Sequence, residues 1–429
     1  MSGQPIVGNA AAGMDDTSLY AFYRNMNQPE RRTFWACFFG WACDGLDFTI
    51  FPLVVGTIML MWGINPGLAG LATTTTLLAS ALGGWSIGFL SDRIGRVRTL
   101  QITIIWFGVC TLLCGIAQNF TQLLIFRTLL GFGFGGEWAA GAVLMSETIR
   151  AQYRGRAMGS VQSAWAVGWG AAVLLQAGTL LLFEPETAWR AMFFFGCLPA
   201  FLLLFYIGKY VPEPAIAARA RTLMPARERP KPWEIFAPGI RRTTLLAALA
   251  LTGAQGGYYA ITAWVPTFLT NERGLTIINS GAYLASLILG SFTGYLAGAW
   301  LADRIGRRKL FLVFSLGAIA MVLIYTQLNI SGPLLLILGF PLGFFSSGYY
   351  SGTGAFLAEL YPTRLRGSGQ GFTYNFGRGV GALFPTLVGY LSLLMPLGQA
   401  MALFAVAAYS IFFATAFALP ETRGRIFEP

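Results

Sequence analysis

Twelve stretches of this chain stay apolar for about 20 residues or more, the length a helix needs to cross the hydrocarbon core of a bilayer. They cover roughly 33–59, 68–90, 98–117, 120–148, 155–182, 188–210, 243–269, 278–300, 308–328, 333–360, 367–394 and 398–419. Backbone groups in lipid must be satisfied internally, and the runs lack the polar–apolar alternation of barrel strands, so helices are expected. Composition points the same way. The 429 residues are 55% hydrophobic and 11% charged, with a mean hydropathy of +0.61; a soluble domain carries about 25% charged residues. The chain is read as an all-α integral membrane protein.

The distribution of basic residues orients it. Arg93, Arg96, Arg98, Arg150, Arg154, Arg156, the run from Arg219 to Arg242, Arg304, Arg307, Arg308, Lys309, Arg364, Arg366, Arg423 and Arg425 fall in the tails and the even-to-odd loops. The opposite loops hold little beyond Arg190 and Arg273. Positive residues mark the cytoplasmic side, so both termini are expected there, as an even number of spans also requires. A plasma (inner) membrane location is expected. The first ~30 residues have no apolar stretch before Arg31 and Arg32, so no cleaved signal peptide is expected and the first span would direct insertion. The net charge of +11 does not point to nucleic acid, because no basic stripe interleaved with aromatics stands outside the apolar runs. Five cysteines (Cys37, Cys43, Cys110, Cys114, Cys197) all lie in apolar runs without a CxxC, which indicates neither a disulfide framework nor a zinc site. Histidine is absent, removing the commonest metal ligand and the side chain that titrates near neutrality.

The chain is also written twice. "LSDRIGRVR" ends at Arg98 and "LADRIGRRK" at Lys309, with Asp92 and Asp303 standing 211 residues apart. Arg154 and Gly155 follow Glu147 as Arg366 and Gly367 follow Glu359, and the two glutamates are 212 residues apart. Two landmarks with nearly one offset argue for a duplicated half. The expected organisation is a cytoplasmic segment 1–32, a six-helix bundle 33–210, a cytoplasmic linker 211–242 rich in Pro and Arg, a second bundle 243–419, and a tail 420–429. The linker arginines are read as meeting anionic headgroups. Two six-helix halves joined this way describe many transporters, with a substrate site between the halves near the midplane.

The phrase "GFLSDRIGR" at 88–96, echoed after the eighth span, resembles the signature loop of the major facilitator superfamily. In the second copy the leading glycine, Gly298, stands one position early. "DGLDFTI" in span one, "RTLLGFGFGGEWAAG" in span four and "GFTYNFGRGVGAL" in span eleven resemble the organic-acid–proton symporters, the sialate/lactate branch first and the aromatic-acid branch close behind. The resemblance covers essentially the whole chain. It implies two pseudo-symmetric six-helix bundles and uptake of a carboxylate with a proton, the proton being the coupling ion and no metal or other cofactor being needed. A monomer in the bilayer is expected. The acid and basic residues of the loops, Asp92, Arg93, Arg96, Glu147 and Arg154 in one half and Asp303, Arg304, Arg307, Glu359 and Arg366 in the other, read as latches between helices that break on inward opening. The alternative is an ordinary positive-inside anchor. Gly95 would let the backbone turn tightly.

Charges inside the bilayer are costly and so mark function. Five lie deep: Asp44, Asp47, Arg127, Glu137 and Arg378. At ~1.5 Å per residue, Asp47 and Arg127 both lie about 20 Å from the inner side of the membrane. A pair is therefore geometrically feasible, and sugar–proton symporters of the same superfamily place a similar aspartate against a similar arginine. Without histidine, a proton carrier must be a carboxylate. Asp47 is the first candidate; Asp44, one helical turn away, is the second. A permanently ionised structural pair is the alternative. Glu137 is a candidate for cavity lining or proton transfer, while Gly131, Gly133, Gly135 and Gly136 around it suit close helix packing. Arg378 has no acidic neighbour on its own helix, and a substrate carboxylate would supply bidentate hydrogen bonds; a distant acid or carbonyl caps are the alternatives. Tyr374, Asn375, Gln255, Tyr258, Tyr259, Tyr349 and Tyr350 are candidates for the cavity wall, each against the alternative of plain packing.

Three rival functions remain. A proton-driven drug exporter usually carries a Gly-Pro kink in span five, and 155–182 has no proline. A membrane enzyme or sensor finds no HExxH, GxSxG or P-loop motif. An uncoupled facilitator would not need the embedded acids.

Overall fold

The computed structural model describes residues 21–213, 232–362 and 365–423. The side chains of Asp92, Arg93, Arg154 and Arg366 lie outside that description. The described part is built of α1 (Ala21–Arg24), α2 (Gln28–Trp62), α3 (Pro66–Ile94), α4 (Arg96–Ile116), α5 (Phe120–Thr148), α6 (Ala151–Gln162), α7 (Ala164–Leu182), α8 (Pro185–Gly196), α9 (Leu198–Tyr210), α10 (Arg241–Thr262), α11 (Val265–Asn271), α12 (Ile277–Ile305), α13 (Arg307–Gln327), α14 (Gly332–Ser347), α15 (Tyr350–Leu360), α16 (Arg366–Gly381), α17 (Leu383–Leu391) and α18 (Leu397–Ala418). Taken with their breaks, α2 to α18 make twelve membrane segments, whose ends fall within a few residues of the apolar runs. Before α10, Pro232–Phe236 forms a 3-10 turn tied down by a bond from Thr244 Oγ1 to the Ile235 carbonyl (2.7 Å).

Five segments are broken: α6/α7, α8/α9, α10/α11, α14/α15 and α16/α17. Pro199, Pro266 and Pro385 stand just past three of the breaks. A proline cannot donate to the carbonyl one turn back and clashes with it, so the axis bends there. The α10/α11 and α16/α17 breaks are also tied to each other, since Trp264 Nε1 donates to Pro385 O (3.0 Å).

The duplication is visible in the backbone. Gly95 joins α3 to α4 with φ +112°, and Gly306 joins α12 to α13 with φ +95°, a region that only glycine enters freely. Close packing of α5 on α3 also depends on glycine: a Cβ at Gly131 or Gly135 would overlap the carbonyl oxygens of Thr76 or Ser80.

Candidate functional site

The two halves meet around a central cavity. Trp41, Phe134, Gln162 and Trp165 line it from the first half; Tyr258, Tyr259, Tyr295, Tyr350, Tyr374 and Arg378 line it from the second. The halves touch on both sides of it. At the signature-loop end Gly159 of α6 lies against Ala299 of α12. At the other end Thr74 of α3 donates to Ala382 O and shares a 2.7 Å hydrogen bond with Thr386 of α17.

Arg378 is 2% exposed and is the cationic group of the cavity wall. Its guanidinium crosses to the first half, where Nη1 donates to Ser80 Oγ at 2.8 Å. Nη2 has a long 3.4 Å bond to Tyr374 Oη, and Nε has no partner. The faces of Phe134 and Tyr374 lie 5.1 and 5.0 Å from its Cζ. A guanidinium has five donors in a fixed fork. Neutral hydroxyls and ring faces leave that fork short of an anion.

The acids gather on the first half. Asp44, Asp47 and Glu137 are all at most 3% exposed. The Glu137 carboxylate presses on Gly40 of α2, where a Cβ would collide with it. It interacts with Asp44, whose two oxygens find no donor. Two carboxylates in such contact can share a hydrogen bond when one holds a proton. Asp44 is also within electrostatic reach of Arg378. The acid pair, the arginine and the cavity thus form one connected group spanning the two halves.

Asp47 and Arg127 behave differently from the direct pair that their depths allow. They are near enough to interact electrostatically. Asp47 Oδ1 is nevertheless taken by Thr111 Oγ1 of α4 at 2.7 Å. Arg127, 0% exposed, lies 4.4 Å over the Phe51 ring, and none of its three nitrogens has a hydrogen-bond partner. A hydroxyl on the third span holds Asp47, and Arg127 has no direct hydrogen bond to it.

Of the residues chosen for the wall, Tyr258, Tyr259, Tyr350, Tyr374 and Arg378 reach the cavity. Gln255 stands behind it, bonding Tyr374 O (3.0 Å) and accepting from Tyr259 Oη (3.2 Å), so it positions two wall tyrosines. Tyr349 turns away: its hydroxyl donates to Ala254 O (2.7 Å) and its ring packs on Phe412 and Tyr409. Asn375 also turns away, its amide nitrogen on Gly371 O and its oxygen against Gly84 of α3. Trp41, Phe134, Gln162, Trp165 and Tyr295 were not expected from the sequence. Gln162 and Trp165 flank the break between α6 and α7, and that break was the missing signal.

Ion pairs among the expected loop residues are formed at the signature-loop end. Arg96 grips Glu147 with two bonds, Nη2–Oε1 at 3.0 Å and Nε–Oε2 at 3.3 Å. Arg307 bonds Glu359 at 3.1 Å and Asp303 at 3.2 Å. Arg304 is not part of this grip; its guanidinium lies 4.1 Å over Trp300. Two further acids complete the arrangement. Glu213 accepts from the backbone N–H groups of Arg96 (2.6 Å) and Val97 (3.0 Å), and Glu421 accepts from those of Arg307 (3.0 Å) and Arg308 (3.1 Å). Each caps the helix that follows a signature loop, where free N–H groups and the helix dipole favour an anion. The repeat held the clue, since Pro212-Glu213 and Pro420-Glu421 close the two halves. Glu30 adds a third anchor, capping α2 and bonding Arg150 at 2.9 Å.

A twelve-segment bundle with an aromatic-lined cavity between duplicated halves is the architecture of a multi-pass membrane transporter. The chain belongs to the Major Facilitator Superfamily, whose family model matches residues 37–385 and, in a second match, 285–426. It is 39% identical over 406 residues to the probable 4-methylmuconolactone transporter of Cupriavidus pinatubonensis, covering 95% of this chain and 94% of that one. It is 29% identical over 358 residues to the cis,cis-muconate transport protein of Acinetobacter baylyi, covering 81% and 84%. Among solved structures, a proton:xylose symporter bound to 6-bromo-6-deoxy-D-glucose shares the fold, with a TM-score of 0.73, 16% identity and coverage of 92% and 97%.

Proposed function

We propose that the protein imports a small organic acid as its carboxylate, together with a proton, by alternating access across the plasma membrane, with both termini cytoplasmic. Arg378 carries this reading: a buried cation facing the cavity, held by neutral partners and with Nε free. A carboxylate entering the cavity would give the fork its two parallel charge-assisted bonds. Transfer to such relatives as the muconate and muconolactone transporters is consistent, because each is named for an organic acid or its lactone.

Proton coupling rests on Asp44, Glu137 and Asp47. An anion moving through an apolar interior is costly, and a proton travelling with it removes the net charge. Asp44 of the acid pair lies within electrostatic reach of Arg378, so binding of a carboxylate there and loading of a proton on Asp44 would favour each other. The monomer is taken as the transporting unit, and no metal or other cofactor has a part.

Uptake by purified protein in proteoliposomes tests the reading, with pyruvate, lactate, sialate, benzoate and muconate offered with and without an inward proton gradient. Accumulation of at least one acid above equilibrium, only with the gradient, is expected. Equilibration without gradient-driven accumulation would leave the uncoupled facilitator as the better account.

A further inference from the structure

The cavity holds a second set of unsatisfied polar atoms besides those of Arg378. Trp165 Nε1, Tyr258 Oη and Gln162 Oε1 are buried and have no hydrogen-bond partner. All three residues line the cavity and are at most 7% exposed. They come from three helices, α6, α7 and α10, which belong to both halves. The Tyr258 hydroxyl lies near the Trp165 indole and the Tyr295 hydroxyl without a well-formed bond to Trp165. Buried polar groups are nearly always paired, because leaving one unpaired costs about 1–3 kcal/mol. Three orphans converging on one cavity call for an occupant with matching groups.

The types of group define it. An indole N–H only donates, an amide oxygen only accepts, and a phenol does either. A hydroxyl answers all three, accepting from Trp165 and donating to Gln162 or Tyr258. An ether or carbonyl oxygen answers the donors and leaves Gln162 Oε1 bare. Between this cluster and Arg378 the wall is aromatic: Trp41 and Trp165 stand 5.1 Å apart, and Phe134 is 6.0 Å from Trp165. Such walls favour a flat, unsaturated body over a polyhydroxylated one.

We propose that Gln162, Trp165 and Tyr258 form a second subsite that reads a hydroxyl on the substrate whose carboxylate Arg378 holds. The inference rests on the carboxylate reading of Arg378 and adds a selectivity filter to it.

Calorimetric binding to the purified full chain at pH 7 tests it, with benzoate, 3- and 4-hydroxybenzoate and 4-methoxybenzoate as probes. The better hydroxybenzoate should bind about 3- to 10-fold more tightly than benzoate, the range for a neutral hydrogen bond, and the methoxy acid should fall short of it. Tyr258→Phe should reduce the hydroxy-to-benzoate preference by a similar factor. Tyr409→Phe removes another buried hydroxyl, one outside the cavity wall, and should keep the preference. Where Trp165→Phe folds poorly, Tyr258→Phe and Gln162→Leu carry the test. Carboxylates that bind through Arg378 with no gain from a hydroxyl, or a gain untouched by Tyr258→Phe and Gln162→Leu, overturn the subsite alone and leave ordered water as its occupant. Failure of every carboxylate in both this panel and the uptake panel overturns the carboxylate reading and the subsite with it.

Discussion

Arg378 of the second half donates a 2.8 Å hydrogen bond to Ser80 of the first, and both side chains are at most 2% exposed. The cation of the cavity wall therefore also ties the two halves together. Ser80→Ala leaves a buried guanidinium N–H unpaired, at a cost of about 1–3 kcal/mol. Its melting temperature without ligand should fall. The rise on adding a transported carboxylate should exceed that of the unaltered protein, because the anion then satisfies a donor that nothing else meets. Equal rises in differential scanning fluorimetry would indicate that the anion does not engage this nitrogen.

Asp47 offers a cleaner separation of coupling from folding. Asparagine keeps an oxygen for the 2.7 Å bond from Thr111 and loses the titrating group. Asp47→Asn should fold normally, lose uphill accumulation under a pH gradient, and keep substrate exchange. Concentrative uptake at the unaltered level would remove Asp47 from the proton path and leave the Asp44–Glu137 pair as the carrier.

Much of this architecture was legible in the sequence, for a physical reason. Crossing lipid imposes a length and a backbone constraint that turn hydropathy into helices, and the repeat fixes where the halves begin. The turn at Gly95 and a contact of Arg96 with Glu147 were legible from residue type and position, whereas Arg307–Glu359 was expected only as part of a group of loop charges. The cavity wall was less legible. Trp41, Phe134 and Trp165 are apolar enough for lipid, so nothing in their type separates a cavity face from a packing face. Helix breaks at 163, 349 and 382 rotate residues out of simple periodicity, and Tyr349 at one of them turns away; Asn375, one position past Tyr374 in an unbroken helix, simply lies off the face that Tyr374 and Arg378 share. Thr111, which claims Asp47, belongs to a third helix that depth arguments along two helices leave out.

The latches should set the balance of conformations. Glu359→Gln removes the charge that Arg307 holds at 3.1 Å, in a pair whose side chains are 12% and 11% exposed. A loss of about 1 kcal/mol at this partly solvated site shifts a two-state balance roughly fivefold. A cysteine placed at Ala299, in the inter-half contact with Gly159, should then react several-fold faster with a maleimide reagent than in the protein with Glu359. An unchanged rate would make the pair a static anchor.

Glu421 gives the fold a pH dependence outside the membrane segments. Partial burial pushes its pKa up, but the backbone N–H donors of Arg423, Arg307, Thr422 and Arg308 outweigh that and hold it below the ordinary value. A depressed folded pKa contributes stability that is full above the unfolded value of about 4.3 and fades as pH falls through the lowered one. Glu421→Gln should therefore melt earlier than the unaltered protein at pH 7, with the gap closing below about pH 4. A gap that persists at low pH would assign the effect to packing instead of charge.

The carboxylate site at Arg378 is the centre of the account, and Arg378→Lys tests it most directly. Lysine keeps the charge but not the planar fork, so it serves a bidentate anion poorly. Losing one hydrogen bond to a charged group costs about 1.5–3 kcal/mol, or roughly 10- to 150-fold in affinity. Affinity for the transported acid, measured by calorimetry on purified, monodisperse Arg378→Lys protein, should fall by that factor per folded molecule. Unchanged affinity with a lowered melting temperature would contradict the account, make Arg378 a structural tie to Ser80, and move the anion site to Arg127, whose buried guanidinium also lacks a hydrogen-bond partner.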